Sequence, residues 1–177
     1  LNDVTINEDA TSYTVTGSLS ATPQTELVVT LSNGSTLTFG TNYVAGTSVT
    51  STAKAITADS DVYAEADALT TVSVSSTSGG DFENLVKTDT STLKVVDSIN
   101  DVTLTLNDVT INEDATSYTV TGSLSATPQT ELVVTLSNGS TLTFGTSYVP
   151  GTLVTSTAAA ITANSDVYAE ADALTTV

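Results

Sequence analysis

Tyr13, Val15, Gly17 and Leu19 alternate with Thr14, Thr16, Ser18 and Ser20. Period two marks a half-buried strand, because successive side chains leave opposite faces of the pleat. The same alternation puts Leu27, Val29 and Leu31 on one face of residues 26–32, and Leu37 and Phe39 on one face of residues 35–39. Asn33-Gly34 lies between them, a hairpin signal whose two-residue turn needs positive φ at both positions. Further strands are predicted at residues 4–6, 48–56, 68–78 and 90–96. Helical periodicity is weak throughout, and only residues 62–69 suit a single helical turn. About seven strands in about 100 residues, with turn signals roughly every 8–12, predict an all-β chain of immunoglobulin-like β-sandwich type.

The pattern then starts again. Residues 1–72 recur as 106–177 at an offset of 105 residues, with five differences: Asn42/Ser147, Ala45/Pro150, Ser48/Leu153, Lys54/Ala159 and Asp59/Asn164. Such a period is too long for a solenoid repeat and suits a whole small domain. The expected organisation is a first repeat over residues 1–98 and a second over 99–177, joined end to end as a slice of a tandem array. The second repeat would lack its last two strands, since nothing matching residues 73–105 follows Val177. The chain therefore reads as internal to a larger protein.

Two of the differences bear on strand orientation. Ser48/Leu153 and Lys54/Ala159 lie an even number of residues apart, so both are expected on one solvent-facing side of strand 48–56. Val49, Ser51, Ala53 and Ala55 would then face inward. An odd strand count sends the chain in at one pole and out at the other. The far pole should collect Asn7, Glu8 and Asp9, the Asn33-Gly34 turn, the loop 59–67 and Asp97. The near pole should collect Glu26 and the loop 79–84.

Charge narrows the function classes. Twenty acidic residues face three lysines (Lys54, Lys87 and Lys94), with no arginine or histidine and a net charge of −17. Nucleic acid and anionic membranes both require a positive surface, so neither is an expected partner. No apolar run reaches the roughly 18 residues of a membrane span. Cysteine is absent, so disulfides and thiolate metal sites are excluded. Without histidine or cysteine there is no Ser/His/Asp triad, thiol nucleophile or HExxH site, and no enzymatic role or small-molecule substrate is expected.

What the acids suit is a hard cation. Asp97-Ser98-Ile99-Asn100-Asp101 offers oxygens at short spacing in an irregular segment, as calcium requires with its six to eight oxygen ligands. Asp97, Asn100 and Asp101 are candidate ligands, with Glu131 as a possible donor from the second repeat; the plain alternative is a solvated acidic linker. Asp59, Asp61, Glu65 and Asp67 crowd one loop, where they would repel unless a cation or solvent separates them. Asn164 in the second copy keeps an oxygen and loses a charge, a change calcium tolerates. Glu8 and Asp9 read first as turn residues and second as ligands. Asp81 and Glu83 after Gly79-Gly80 read as a turn. Tyr13 and Tyr63 read as core or corner residues. Tyr43/Tyr148 is the aromatic most available for a ligand, which keeps open a carbohydrate- or receptor-binding module.

The order Val-Thr-Ile-Asn-Glu-Asp (4–9), Tyr-Thr-Val-Thr (13–16), Leu-Ser-Asn-Gly-Ser-Thr-Leu-Thr (31–38), Ser-Asp-Val-Tyr-Ala-Glu-Ala-Asp (60–67), Gly-Gly-Asp-Phe-Glu-Asn-Leu (79–85) and Val-Asp-Ser-Ile-Asn-Asp (96–101) resembles the extender repeats of giant repeats-in-toxin (RTX) adhesins. These are type I secreted bacterial proteins that include biofilm and ice-binding adhesins. The resemblance implies immunoglobulin-like repeats at the bacterial cell surface, with calcium at the junctions and neighbouring repeats as partners. It implies that the repeats hold a distal ligand-binding region away from the cell. Asp97 and Asp101 match the family's junction motif, Asp61, Glu65 and Asp67 its acidic loop, and Glu8 its first turn. The chain departs from the common pattern in a longer stretch over 39–48 and in Ile99-Asn100 of the linker.

Overall fold

The computed structural model describes residues 1–164, 166 and 172–176. The chain divides into two compact units, Leu1–Ile99 and Asn100–Val177. All regular structure in the described residues is β, as the alternation predicts. In the first unit the strands are β1 (Val4–Asn7), β2 (Ser12–Tyr13), β3 (Thr16–Gly17), β4 (Leu27–Leu31), β5 (Thr36–Phe39), β6 (Val49–Thr50), β7 (Lys54–Ala55), β8 (Ala68–Gly79) and β9 (Thr90–Val96). Five of them form one sheet in the order β1-β9-β8-β4-β5; β2 pairs with β7, and β3 with β6. The single turn of helix expected over 62–69 does not form; residues 62–63 bend, and Ala68 already opens β8.

Two predicted strands, 13–20 and 48–56, are each interrupted at the same level. Tyr13 stands opposite Lys54, whereas Thr16 stands opposite Thr50, so the second strand carries one extra residue: a β-bulge. Ser51 holds the ladder together across it. The Val15 N–H donates to Ser51 Oγ (3.0 Å), and the Ser51 N–H donates to the Val15 carbonyl (2.8 Å). The bulge also revises the inward face: Val49 is half-buried and Ser51 buried, but Ala53 and Ala55 are exposed. Ser48, Leu153 and Lys54 face solvent as expected, while Ala159 is buried.

Tyr13, Val15, Leu27, Val29, Leu31, Leu37, Phe39, Tyr43, Val72 and Leu93 form the core of the first unit. They come from the five-stranded sheet, from the two short ladders and from the segment after β5, which together enclose one apolar interior. The Asn33-Gly34 hairpin differs from the two-residue turn predicted. Only Gly34 takes positive φ (86°), the Gly34 N–H donates to Leu31 O (2.9 Å), and the Leu31 N–H donates to Ser35 O (2.8 Å). That is a three-residue loop, a type I turn followed by a left-handed glycine. Its tip lies level with Ser73, partway along β8 and short of the far pole.

The second unit contains β10 (Leu104–Leu106), β11 (Ser117–Tyr118), β12 (Thr121–Leu124), β13 (Leu132–Thr135), β14 (Thr141–Phe144), β15 (Val154–Thr155) and β16 (Ala159–Ala160). It repeats the β13–β14 hairpin and the bulged pairing, with Ser156 in the place of Ser51. Its core is Val120, Leu124, Leu136, Leu142, Phe144 and Tyr148. The two units differ at β13. Leu27 is fully covered because β8 pairs with β4, whereas its copy Leu132 is 40% exposed and β13 pairs with β14 alone among the described residues.

Candidate metal centre

β1 and β9 run parallel, Val4 beside Leu93 and Asn7 beside Val96. Parallel pairing of the first and last strands of the unit puts both of their C-terminal ends at one pole, and there the acids gather. The Glu8 N–H continues the ladder by donating to Val96 O (2.9 Å), after which the chain turns, with the Ala10 N–H donating to Asn7 O (3.0 Å). The Glu8 side chain is 7% exposed. Its Oε1 accepts from the Ser98 N–H (3.2 Å) and from Ser98 Oγ (2.9 Å), so a buried carboxylate is held beside the last residues of the unit. Ser98 is not among the candidates named from the sequence; its place inside an acidic motif is the available signal.

The loop after β7 folds back on this pair. The Asp59 N–H donates to Glu8 O (3.0 Å), Asp61 Oδ1 accepts from the Tyr63 N–H (2.7 Å), and the Glu65 N–H donates to Asp97 Oδ2 (3.1 Å). Carboxylate oxygens of Asp59, Asp61 and Glu65 lie within 4.8 Å of one another. The Glu65 carboxyl is pushed above its ordinary value, first by the charge of Asp59, then by Asp61, by some desolvation, and by Glu8 and Asp97. Asp97 Oδ1 is buried and has no hydrogen-bond partner among the described residues. A cleft of about 220 Å³ opens between Glu8, Asp59, Glu65, Val95 and Asp97.

The remaining candidates are placed differently. Asp67 pairs with Lys94 of β9 (2.7 Å) and stands outside the three-carboxylate group. Asp9 is exposed in the turn after β1. Asn100, Asp101 and Glu131 belong to the second unit and are exposed there. In the second copy the Asn164 N–H again donates to Glu113 O (2.9 Å), but Glu113 is exposed where Glu8 is buried, because the partner of Glu8 comes from segment 96–98. The copy of Glu65, Glu170, lies outside the described residues.

The turn reading of Asp81 and Glu83 has a backbone basis: Gly79, Gly80 and Asp81 all have positive φ (78°, 89° and 50°). Tyr43 and Tyr148 are not the available aromatics expected. They are 8% and 9% exposed, each ring edge-on to a phenylalanine (Phe39 or Phe144) at 5.1 Å between centroids. Each hydroxyl ties down a loop. Tyr43 Oη accepts from the Leu19 N–H (2.9 Å) and donates to Thr47 O (2.6 Å). Burial removes the aromatic platform on which the carbohydrate-binding alternative rested.

A grouped set of hard oxygen donors, an orphaned buried carboxylate oxygen and a mutually repelling acid cluster describe a place where a cation fits. In comparison with known proteins, the LapA domain matches residues 1–98 and again 100–177. The chain belongs to the LapA domain family. LapA domains are those of large biofilm adhesins, which supports an adhesin-related, cell-surface and structural rather than enzymatic role. None of the curated proteins matches the chain. No helix among the described residues of this LapA-domain chain is long and apolar enough to cross a membrane.

Proposed function

We propose that the chain consists of two calcium-stiffened, immunoglobulin-like extender repeats of a type I secreted RTX adhesin, which project a distal ligand-binding region from the bacterial surface. The observation that carries this reading is Asp97 Oδ1, buried without a partner among the described residues, just after β9 and beside the acidic cleft. Leaving a buried charged oxygen unpaired costs a few kcal/mol, and a cation would remove that cost. Asp97, Glu65, Asp59, Asp61 and Glu8 offer carboxylate oxygens from three separate segments of the first repeat. Calcium, with its high coordination number and tolerance of irregular geometry, suits such a set better than magnesium does.

The mechanism is mechanical. Without the ion, carboxylates at the end of the repeat repel and the chain leaving β9 is loosely held. With it, the first turn, the acidic loop and the linker are tied together, and binding confined to the folded state stabilises that state by mass action. Linker oxygens of Asn100 and Asp101 count among the proposed donors. Small-angle scattering of the chain should show a longer, stiffer particle in calcium than in chelator; superimposable profiles would sink the proposal. Asp97→Ala combined with Asp101→Ala should abolish the response.

A further inference from the structure

The Asn33-Gly34 hairpin has a chemistry that the stiffening role does not use. Asparagine followed by glycine is the dipeptide most prone to deamidation, because glycine has no side chain to hinder attack by its own backbone nitrogen. Only Asn33 and Asn138 among the asparagines precede glycine. We propose that Asn33-Gly34 and Asn138-Gly139 are latent deamidation sites, silenced by the fold and released when a unit opens.

The reaction needs the Gly34 nitrogen to lose its proton and bond to Asn33 Cγ, breaking the Cγ–Nδ2 bond and expelling ammonia. Water then opens the cyclic imide to aspartate or isoaspartate. One water is consumed, one ammonia is released, and nothing is oxidised or reduced. The fold opposes each requirement. The Gly34 N–H is engaged by Leu31 O (2.9 Å), so the attacking nitrogen is turned toward Leu31 and keeps its proton. The Asn33 amide is clamped at both ends: Oδ1 accepts from the Ser35 N–H (2.9 Å) and Ser35 Oγ (2.8 Å), and Nδ2 donates to Tyr13 Oη (3.0 Å). The backbone donor of Ser35 fixes which end of the amide is oxygen. Ser35 is buried, and Tyr13 is a core residue, so the clamp is anchored in the interior rather than in solvent.

The second unit reproduces every contact. Asn138 Oδ1 accepts from the Ser140 N–H (3.0 Å) and Ser140 Oγ (2.8 Å), Nδ2 donates to Tyr118 Oη (2.9 Å), and the Gly139 N–H donates to Leu136 O (2.9 Å). Opening a unit releases all of these bonds together. Because the ammonia is lost to solvent, the mark persists after refolding and records that the unit has been open.

The test follows the mass gained on amide-to-acid conversion at each site by peptide mass spectrometry. The full chain is incubated at mildly alkaline pH, folded or in urea. Conversion at both sites should be at least about tenfold slower when folded, since it must wait for opening; equal rates would overturn the proposal. Tyr13→Phe removes one clamp from Asn33 alone and should speed Asn33 relative to Asn138 in the same molecule by about fivefold, the factor one hydrogen bond supplies. An unchanged ratio in a variant with a native circular dichroism spectrum would equally overturn it. If that variant unfolds, Ser35→Ala is read in the same way.

Discussion

Glu65 donates its backbone N–H to Asp97 Oδ2 at 3.1 Å, while the other oxygen of Asp97 is buried and has no hydrogen-bond partner among the described residues. One hydrogen bond thus fastens the acidic loop to the residue that follows β9, itself part of the cleft lining.

The Glu65 carboxyl titrates above its ordinary value of 4.5 because Asp59, and then Asp61, repel its charged form. The folded state therefore binds this proton more tightly than the unfolded state does. In chelator, the Glu65 contribution should raise stability as pH falls from the raised folded value toward 4.5, be complete below that, and be fully unfavourable at neutral pH. Glu65→Gln should stabilise the chain in chelator and destabilise it in calcium, by urea denaturation at neutral pH. The same sign of change in both buffers would contradict the electrostatic account.

Asp59→Asn copies the second repeat into the first. It keeps an oxygen but removes the largest single source of repulsion on Glu65. Calcium affinity depends on ligand charge, so calorimetry should show binding weakened by about tenfold. Unaltered affinity would place the ion away from Asp59.

Tyr43→Phe keeps the ring against Phe39 and removes the hydroxyl that serves the Leu19 N–H and Thr47 O. A loss of about 1–3 kcal/mol is expected from the stranded backbone groups. Chemical denaturation measures it, and the cost should be independent of calcium.

Two glycines with positive φ should respond unequally to alanine. A Cβ on Gly79 would come 2.0 Å from the Glu26 carbonyl oxygen, while one on Gly34 would meet nothing within 4 Å. Gly34→Ala should cost about 1 kcal/mol from its left-handed backbone alone. Gly79→Ala must also displace backbone and should cost more than about 2 kcal/mol. Equal costs would show that conformation, rather than space, governs both.

The local reading and the tertiary structure divided cleanly. Alternation in residues 27–31 and 36–39 was enough to place those strands and their inward residues, because period two is a property of neighbouring residues and survives any arrangement of the sheets. The repeat, the all-β class, the acidic crowding of residues 59–65 and the exclusion of thiol and histidine chemistry likewise needed only the sequence. The bulge at Ser51 did not show in the pattern, since the extra residue is defined only against a partner strand some 36 positions away. Tyr43 looks available from the sequence because its flanking loop varies between the copies; only packing against Phe39 and bonding to Leu19 bury it. Glu8 is the sharpest case. It and Glu113 sit in identical local sequence, yet Glu8 is buried and Glu113 exposed, because the segment that covers Glu8 lies 90 residues further along the chain. Local composition supplied the oxygens of the candidate centre, and the long-range pairing of β1 with β9 decided which of them are brought together.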